Sequence, residues 1–352
     1  MYKPQNVILK RVGYERVYSL HNMDGIAKEI IHMLTDKNDD VHAHDFQSTK
    51  TGNWLSDISA LKTIEFDRAP YQAVLMRSCA TKDDFTPARL QLGKSSDGFS
   101  FQEYITKVPT ETIRDPSMIK TENNGYYLIE SDGLYQTFDL MNWKNLNWDW
   151  KSLGFDSVWA PEFFRDKDNQ VKVVISQCEH NTTPHGTEMA PFSIYTYDFD
   201  IHSGHLSTMQ KLTPARGTVF PEKLIDPDIK FDAATNLYYL VAAHYTADSE
   251  STIDLYCSSQ IESGWTQVPL DFDSHTINGS VYEAPEIEWI ENQWVLYVDA
   301  FSNPKFNNQD GILFSPITPL SSDGVNITES LKPLKYTSPG NDYTPWAICF
   351  VH

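Results

Sequence analysis

The chain has 352 residues, with 48 Asp and Glu against 28 Lys and Arg and a formal net charge of −20. Without a cluster of Lys and Arg, this balance argues against a nucleic-acid partner, because phosphate binding needs a basic surface. Aromatic residues make up 13 %, including 9 Trp and 18 Tyr, which suits either stacking on sugar rings or filling the space between β-blades.

The first eleven residues lack an apolar run long enough for a signal peptide, and no apolar run of 18 residues occurs anywhere. This predicts a soluble cytoplasmic protein with no membrane partner. Residues 24–35 place Ile26, Ile30, Met33 and Leu34 at helical spacing behind Asn22 or Asp24 as a cap, predicting one amphipathic helix. A polar stretch, 36–57, follows as a connection. Residues 1–65 therefore read as an N-terminal extension, whose apolar stripe packs on the rest of the chain or forms a homo-oligomer contact.

From Tyr71 onward the pattern is β. Residues 73–76, 88–93 and 99–101 read as short strands, with a turn at Ser96-Asp97-Gly98. A repeat then sets in. Pro116, Pro161, Pro227 and Pro285 each open a strand-like run that leads, 13 or 14 residues later, to the end of a second apolar strand at Ile129, Ile175, Val241 and Val298. Repeats at intervals of about 45 to 65 residues, each of strand, turn and strand, mark a propeller or solenoid. Four blades follow, at about 111–150, 157–215, 220–270 and 280–320. The strands left over at 70–107 and 331–352 complete a fifth that closes the ring and hides the sheet edges. The expected fold is all-β, a five-bladed β-propeller over 66–352 with a short helical N-terminal extension. Cys79, Cys178, Cys257 and Cys349 lie far apart with no C-x-x-C pair and read as buried thiols.

In a propeller the inner strands begin at one mouth of the axis. Asp115, Asp226 and Glu283 stand at three such beginnings. The loops after the second strands return to the same face; they begin at Glu130, Gln177, His244 and Asp299. Like charges brought together raise one another's pKa, which turns one carboxyl into a proton donor, and glycoside hydrolysis uses a pair of carboxyls in this way. Glu162 and Glu286 are rival acids that strand alternation turns to another side, and Asp228 and Asp232 read as ordinary turn or strand-face acids. The segment 180–188 holds two His and a Glu and reads as a substrate-binding loop rather than a metal site. Trp159, Phe164, His185, Tyr245 and Phe301, with Arg114, are the candidate sugar-binding residues.

The ordered set Arg114-Asp115-Pro116, Trp159-Ala160-Pro161, Ile225-Asp226-Pro227 and Tyr282-Glu283-Ala284-Pro285 resembles the family 43 glycoside hydrolases, five-bladed propellers that include β-xylosidases, α-L-arabinofuranosidases and arabinanases. The spacings, 111 residues from Asp115 to Asp226 and 57 from there to Glu283, suit the family's blades one, three and four. The resemblance implies Asp115 as general base, Asp226 as the residue that tunes and orients the acid, and Glu283 as general acid. The implied reaction is an inverting hydrolysis of xylose- or arabinose-containing oligosaccharides. No cofactor is implied as required, although a structural calcium near the axis is compatible with it. The chain departs from the family in having Ala284 where Gly often follows the acid, and in the 110 or so residues before the first Asp. It also lacks a good match for the fifth-blade His, His352 being a poor one.

Three other readings share parts of this pattern. The fructan and sucrose hydrolases also use an R-D-P motif, but 168 residues between Asp115 and Glu283 are too many for their pair. The mannoside phosphorylases are similar around residues 89–98, but their phosphate needs basic residues. A non-catalytic carbohydrate-binding propeller would not need three carboxyls on one axis.

Overall fold

A computed structural model gives the architecture and describes residues 6–11, 14–19, 46–48, 66–77, 89–104, 109, 113–122, 125–148, 155, 157–178, 191–247, 250–276, 281–301, 311–338 and 345–352. The chain divides into two units, Met1–Arg68 and Ala69–His352. In the first, β1 (Asn6–Arg11) pairs antiparallel with both β2 (Tyr14–Ser19) and β3 (Phe46–Ser48). These strands were not foreseen, although Val7-Ile8-Leu9 and Val17-Tyr18 are β-favouring runs. The helix expected at 24–35 lies outside the described residues.

The second unit is a five-bladed propeller. Blade five takes β4 (Tyr71–Arg77), β5 (Arg89–Ser95) and β6 (Ser100–Tyr104) from its start. Blade one is β7 (Ser117–Lys120), β8 (Tyr126–Glu130), β9 (Gly133–Thr137) and β10 (Trp143–Asn145). Blade two is β11 (Ser157–Arg165), β12 (Val171–Cys178), β13 (Ser193–Asp200) and β14 (His205–Lys211). A short β15 (Thr213–Pro214) crosses to the outer edge of blade three, where it lies parallel to that blade's last strand. That blade holds β16 (Leu224–Asp232), β17 (Leu237–Ala247), β18 (Glu250–Ser258) and β19 (Ser263–Val268). Blade four is β20 (Val281–Ile290), β21 (Gln293–Phe301), β22 (Gly311–Ile317) and β23 (Lys332–Pro333). The chain returns to blade five with β24 (Lys335–Thr337) outermost and β25 (Pro345–Phe350) innermost, giving the order β24-β6-β5-β4-β25.

The ring is closed by the two ends of this unit, as the leftover strands implied. Neighbouring inner strands β7, β11, β16, β20 and β25 touch in turn, and β25 touches β7 again. Lys120 N–H donates to the His352 carbonyl at 2.8 Å across that seam. The residues at 332–333 belong to blade four rather than five, and 213–214 to blade three rather than two, because edge strands this short are assigned by tertiary pairing and not by local pattern.

Middle strands are buried on both faces, since each blade is sandwiched between two others, and so read as continuous apolar runs. Tyr239, Leu240 and Val241 of β17 alternate between the packing toward blade four (Tyr239 and Val241 against Ile287 and Leu296) and that toward blade two (Leu240 against Phe164 and Val174). The core is thus a series of layers between blades. Trp265 is fully buried in one of them, its indole N–H donating to the Ile261 carbonyl at 2.7 Å. Cys178, Cys257 and Cys349 are buried, as the sequence suggested. The foreseen turn at 96–98 forms around Asp97, whose Oδ1 accepts N–H groups of Phe99 and Ser100 at 2.8 and 2.7 Å.

Candidate active site

One residue at the head of each inner strand has a left-handed backbone: Asp115 (φ 49°), Ala160 (45°), Asp226 (52°), Ala284 (43°) and Ala347 (46°). Four of these precede Pro, which already disfavours the right-handed helical region for the residue before it. For Ala the left-handed region costs about 1–2 kcal/mol, while Asp tolerates it better. Hydrogen bonds between blades hold the strained positions. The N–H of Asp115 points to Met76 Sδ (3.1 Å), that of Ala160 to Ser131 Oγ (3.3 Å), that of Ala284 to Asp226 Oδ2 (3.1 Å) and that of Ala347 to Asp299 Oδ2 (2.8 Å). Side chains of one blade thus fix the strand head of the next. Ala284→Gly is expected to raise stability by about 1 kcal/mol, because Gly adopts this φ without strain. Urea unfolding of the two proteins checks it.

These strand heads line an axial pocket formed by 115–117, 160–162, 226–227, 284–285 and 347–349. Asp115 and Asp226 face each other's charge across it, and Glu283, one residue before Ala284, feels both. The structure therefore brings together the three carboxyls that the sequence singled out. Arg114 stands beside them, its guanidinium 5.4 Å from the centre of the Trp159 ring. Ser131 Oγ donates to Asp115 Oδ2 at 3.2 Å, and the Tyr245 hydroxyl donates to Glu283 Oε1.

The electrostatics separate the three acids. Loss of hydration, then the charges of Asp226, Asp299 and Asp115, push Glu283 up to about 9 despite Arg114. Asp226 is raised to about 7 by desolvation and by Asp115. Desolvation also raises Asp115, but Arg114 and the hydrogen bond from Ser131 oppose it. At neutral pH Glu283 holds a proton, whereas Asp115 is the acid best supplied with partners for its charge.

Other candidates fare differently. Tyr245 meets the acid directly. Trp159 is half-buried between Arg114 and Phe192, whose ring centre is 4.8 Å away. Phe164 is no cleft residue: at 1 % exposure it packs with Val174, Ile194 and Leu240 in the layer between blades two and three. His185 and the whole loop 180–188 lie outside the described residues, as does the side chain of Phe301.

Glu162 and Glu286 correct the strand-alternation argument, and Asp228 corrects its reading as an ordinary turn or strand-face acid. Each lies two residues past a left-handed position and faces the axis, together with Ser117 and Cys349 at equivalent positions of the other blades. The register slips between Trp159 and Glu162, between Ile225 and Asp228 and between Glu283 and Glu286. A bulge there resets the side-chain alternation. Two members of the site had been placed on this face only as parts of loops. Ser131 directly follows the second strand of blade one and Asp299 lies near the end of that of blade four; the hydrogen bond of Ser131 to Asp115 and the pairing of Asp299 opposite Glu283 reveal their roles.

No protein-family model matches the sequence, and no curated protein matches it either. Solved structures do match in fold. An endo-1,4-β-xylanase from Bacteroides thetaiotaomicron VPI-5482 superposes with a TM-score of 0.53 at 10 % identity, covering 76 % of this chain and 94 % of the other. An α-L-arabinofuranosidase from Clostridium thermocellum ATCC 27405 gives 0.52 at 13 % identity, with 73 % and 87 % covered. A xylan β-1,4-xylosidase from Bacillus halodurans C-125 gives 0.50 at 13 %, with 78 % and 56 % covered. At such identities the likeness is one of fold, a five-bladed propeller.

Proposed function

We propose that the chain is a glycoside hydrolase that cleaves xylose- or arabinose-containing oligosaccharides by a single inverting displacement. The observation that carries this reading is the convergence of Asp115, Asp226 and Glu283 at the strand heads around the axial pocket, where burial and the neighbouring carboxyls raise Glu283 to about 9. A group protonated at neutral pH beside the axial pocket is suited to protonate a leaving glycosidic oxygen. Asp115, held by Ser131 and facing Arg114, acts as the base that takes a proton from the attacking water. Asp226 accepts the N–H of Ala284 and raises Glu283 through its charge, so it orients the acid's backbone and helps keep its proton on. The substrate class follows from the sequence resemblance and from the names of the structures that share the fold.

The test is the pH dependence of kcat/KM on aryl xylosides and arabinofuranosides with poor leaving groups. Asp115 must be ionised, so activity rises as pH passes its raised pKa, above the ordinary carboxylate value of about 4. Glu283 must be protonated, so activity falls as pH passes about 9. A bell with its alkaline limb near that value is the expected result. A profile still flat at pH 10, or no turnover of any glycoside in the panel, would refute the assignment.

A further inference from the structure

Below the strand heads, the axis holds a second and more deeply buried group of charges. Lys230, on β16 and 9 % exposed, points its ammonium into the middle of it. Its Nζ lies 3.3 Å from Asp228 Oδ1, 3.4 Å from Glu288 Oε2, 3.5 Å from Glu286 Oε1 and 3.6 Å from Glu162 Oε1. The fifth neighbour is His352 Nε2 at 2.9 Å. Blades two, three and four supply the carboxyls and the end of the chain supplies the imidazole.

Three of these groups, Glu162, Glu286 and His352, present ligand atoms within 4.8 Å of one another, which is the donor set of a divalent cation site. The sequence resemblance likewise left room for an axial calcium. The residues present do not fit one. A calcium ion takes its oxygens at about 2.3–2.6 Å, and an ion placed to use these oxygens would lie against Nζ, where two buried cations repel strongly. Glu162 Oε1, Asp228 Oδ1 and Glu288 Oε2 are buried oxygens within 3.6 Å of the ammonium, and Glu288 Oε2 also lies 4.0 Å from His352 Nε2.

We propose that the Lys230 ammonium is the resident cation of the propeller axis, standing in the place of a metal ion and clamping blades two, three, four and five together, so that the protein folds and works without bound metal. The charges are consistent with this. Burial alone would lower the Lys230 pKa, but Asp228, Glu288, Glu286 and Glu162 outweigh it and keep the group charged. Desolvation, then Lys230 itself, holds His352 well below its usual value, so it stays neutral and accepts an N–H of Lys230 through Nε2. One ammonium cannot balance four carboxylates. Desolvation raises Glu162, Glu286 and Glu288, with Glu286 reaching about 8, and protons supply the remaining neutralisation.

The clamp acts on backbone as well as on charge. Asp228 Oδ2 accepts the N–H of Ile287 in blade four at 2.9 Å, and Glu286 Oε1 accepts that of Phe350 in blade five at 3.0 Å. Both carboxyls sit two residues after a left-handed strand head of the upper ring. A cation that fixes them therefore also sets the spacing of the acids above.

The experiment combines elemental analysis with thermal unfolding of the full chain, so it does not depend on activity or on the function proposed above. Purified wild-type protein should hold no stoichiometric metal. Its melting temperature should not move in EDTA or with added calcium or manganese chloride. Lys230→Met should melt about 10 °C lower, as expected for a buried charge cluster that loses one partner, and should regain stability as either ion is titrated in. Stoichiometric metal in the wild type, or a melting temperature that EDTA lowers, would overturn the proposal without any variant. So would a Lys230→Met protein that melts like the wild type, or one that binds neither ion. Should that variant fail to fold, Lys230→Met/Glu288→Gln, which removes one carboxylate together with the ammonium, takes its place under the same criteria.

Discussion

Glu283→Ala is expected to lower kcat/KM by about 10²–10⁴ on substrates with poor leaving groups, and by much less on activated aryl glycosides. The size follows from what the side chain supplies. An alkoxide leaving group needs a proton in the transition state, whereas a nitrophenolate departs without one. The wild-type acid is ready because the axial pocket and the neighbouring Asp226, Asp299 and Asp115 hold its pKa at about 9. Removing it should also abolish the alkaline limb of the pH profile on any remaining substrate. Equal losses on both classes of leaving group would assign Glu283 to binding or positioning instead.

Asp115→Ala should lose activity on both classes, by about 10²–10⁴, because in the proposed reaction the base acts on water whatever the leaving group. Its carboxylate is held by Ser131 at 3.2 Å and sits on a left-handed strand head fixed through Met76. Ala at that position leaves space at the axis and no acceptor for the water proton. A small anion such as azide, which needs no deprotonation, should restore part of the activity and yield the glycosyl azide. Kinetics with and without azide separate this from misfolding, since a collapsed site would not respond to the anion.

Much of the propeller was legible in the sequence because the feature that builds each inner strand leaves a mark. A left-handed residue followed by Pro recurs at Asp115, Ala160, Asp226 and Ala284, and this gave the phase of four blades. The fifth strand head, Ala347, has the same backbone but is followed by Ile348, so only ring closure located that blade. The left-handed backbone also accounts for the departure at Ala284, where the resembled family often has Gly: the position favours Gly, and this chain bears the strain.

What stayed hidden depends on register and tertiary contact. The bulge beside each strand head turns Glu162, Asp228 and Glu286 onto the axis, against simple alternation. Nothing in the strand pattern marks Lys230, and its meaning comes from partners in blades two and four and from His352. Phe164 was misjudged because a strand followed by a continuous apolar layer gives no sign of which aromatics face a cleft.

The account rests on Glu283 and Asp115 acting from opposite sides of one glycosidic bond, and the stereochemistry of the product reports on that arrangement. Proton NMR of the first sugar released, recorded before mutarotation, should show the anomer of inverted configuration. Release of the retained anomer would contradict the role of Asp115 as a base acting through water and would make it, or another carboxyl on this axis, a nucleophile.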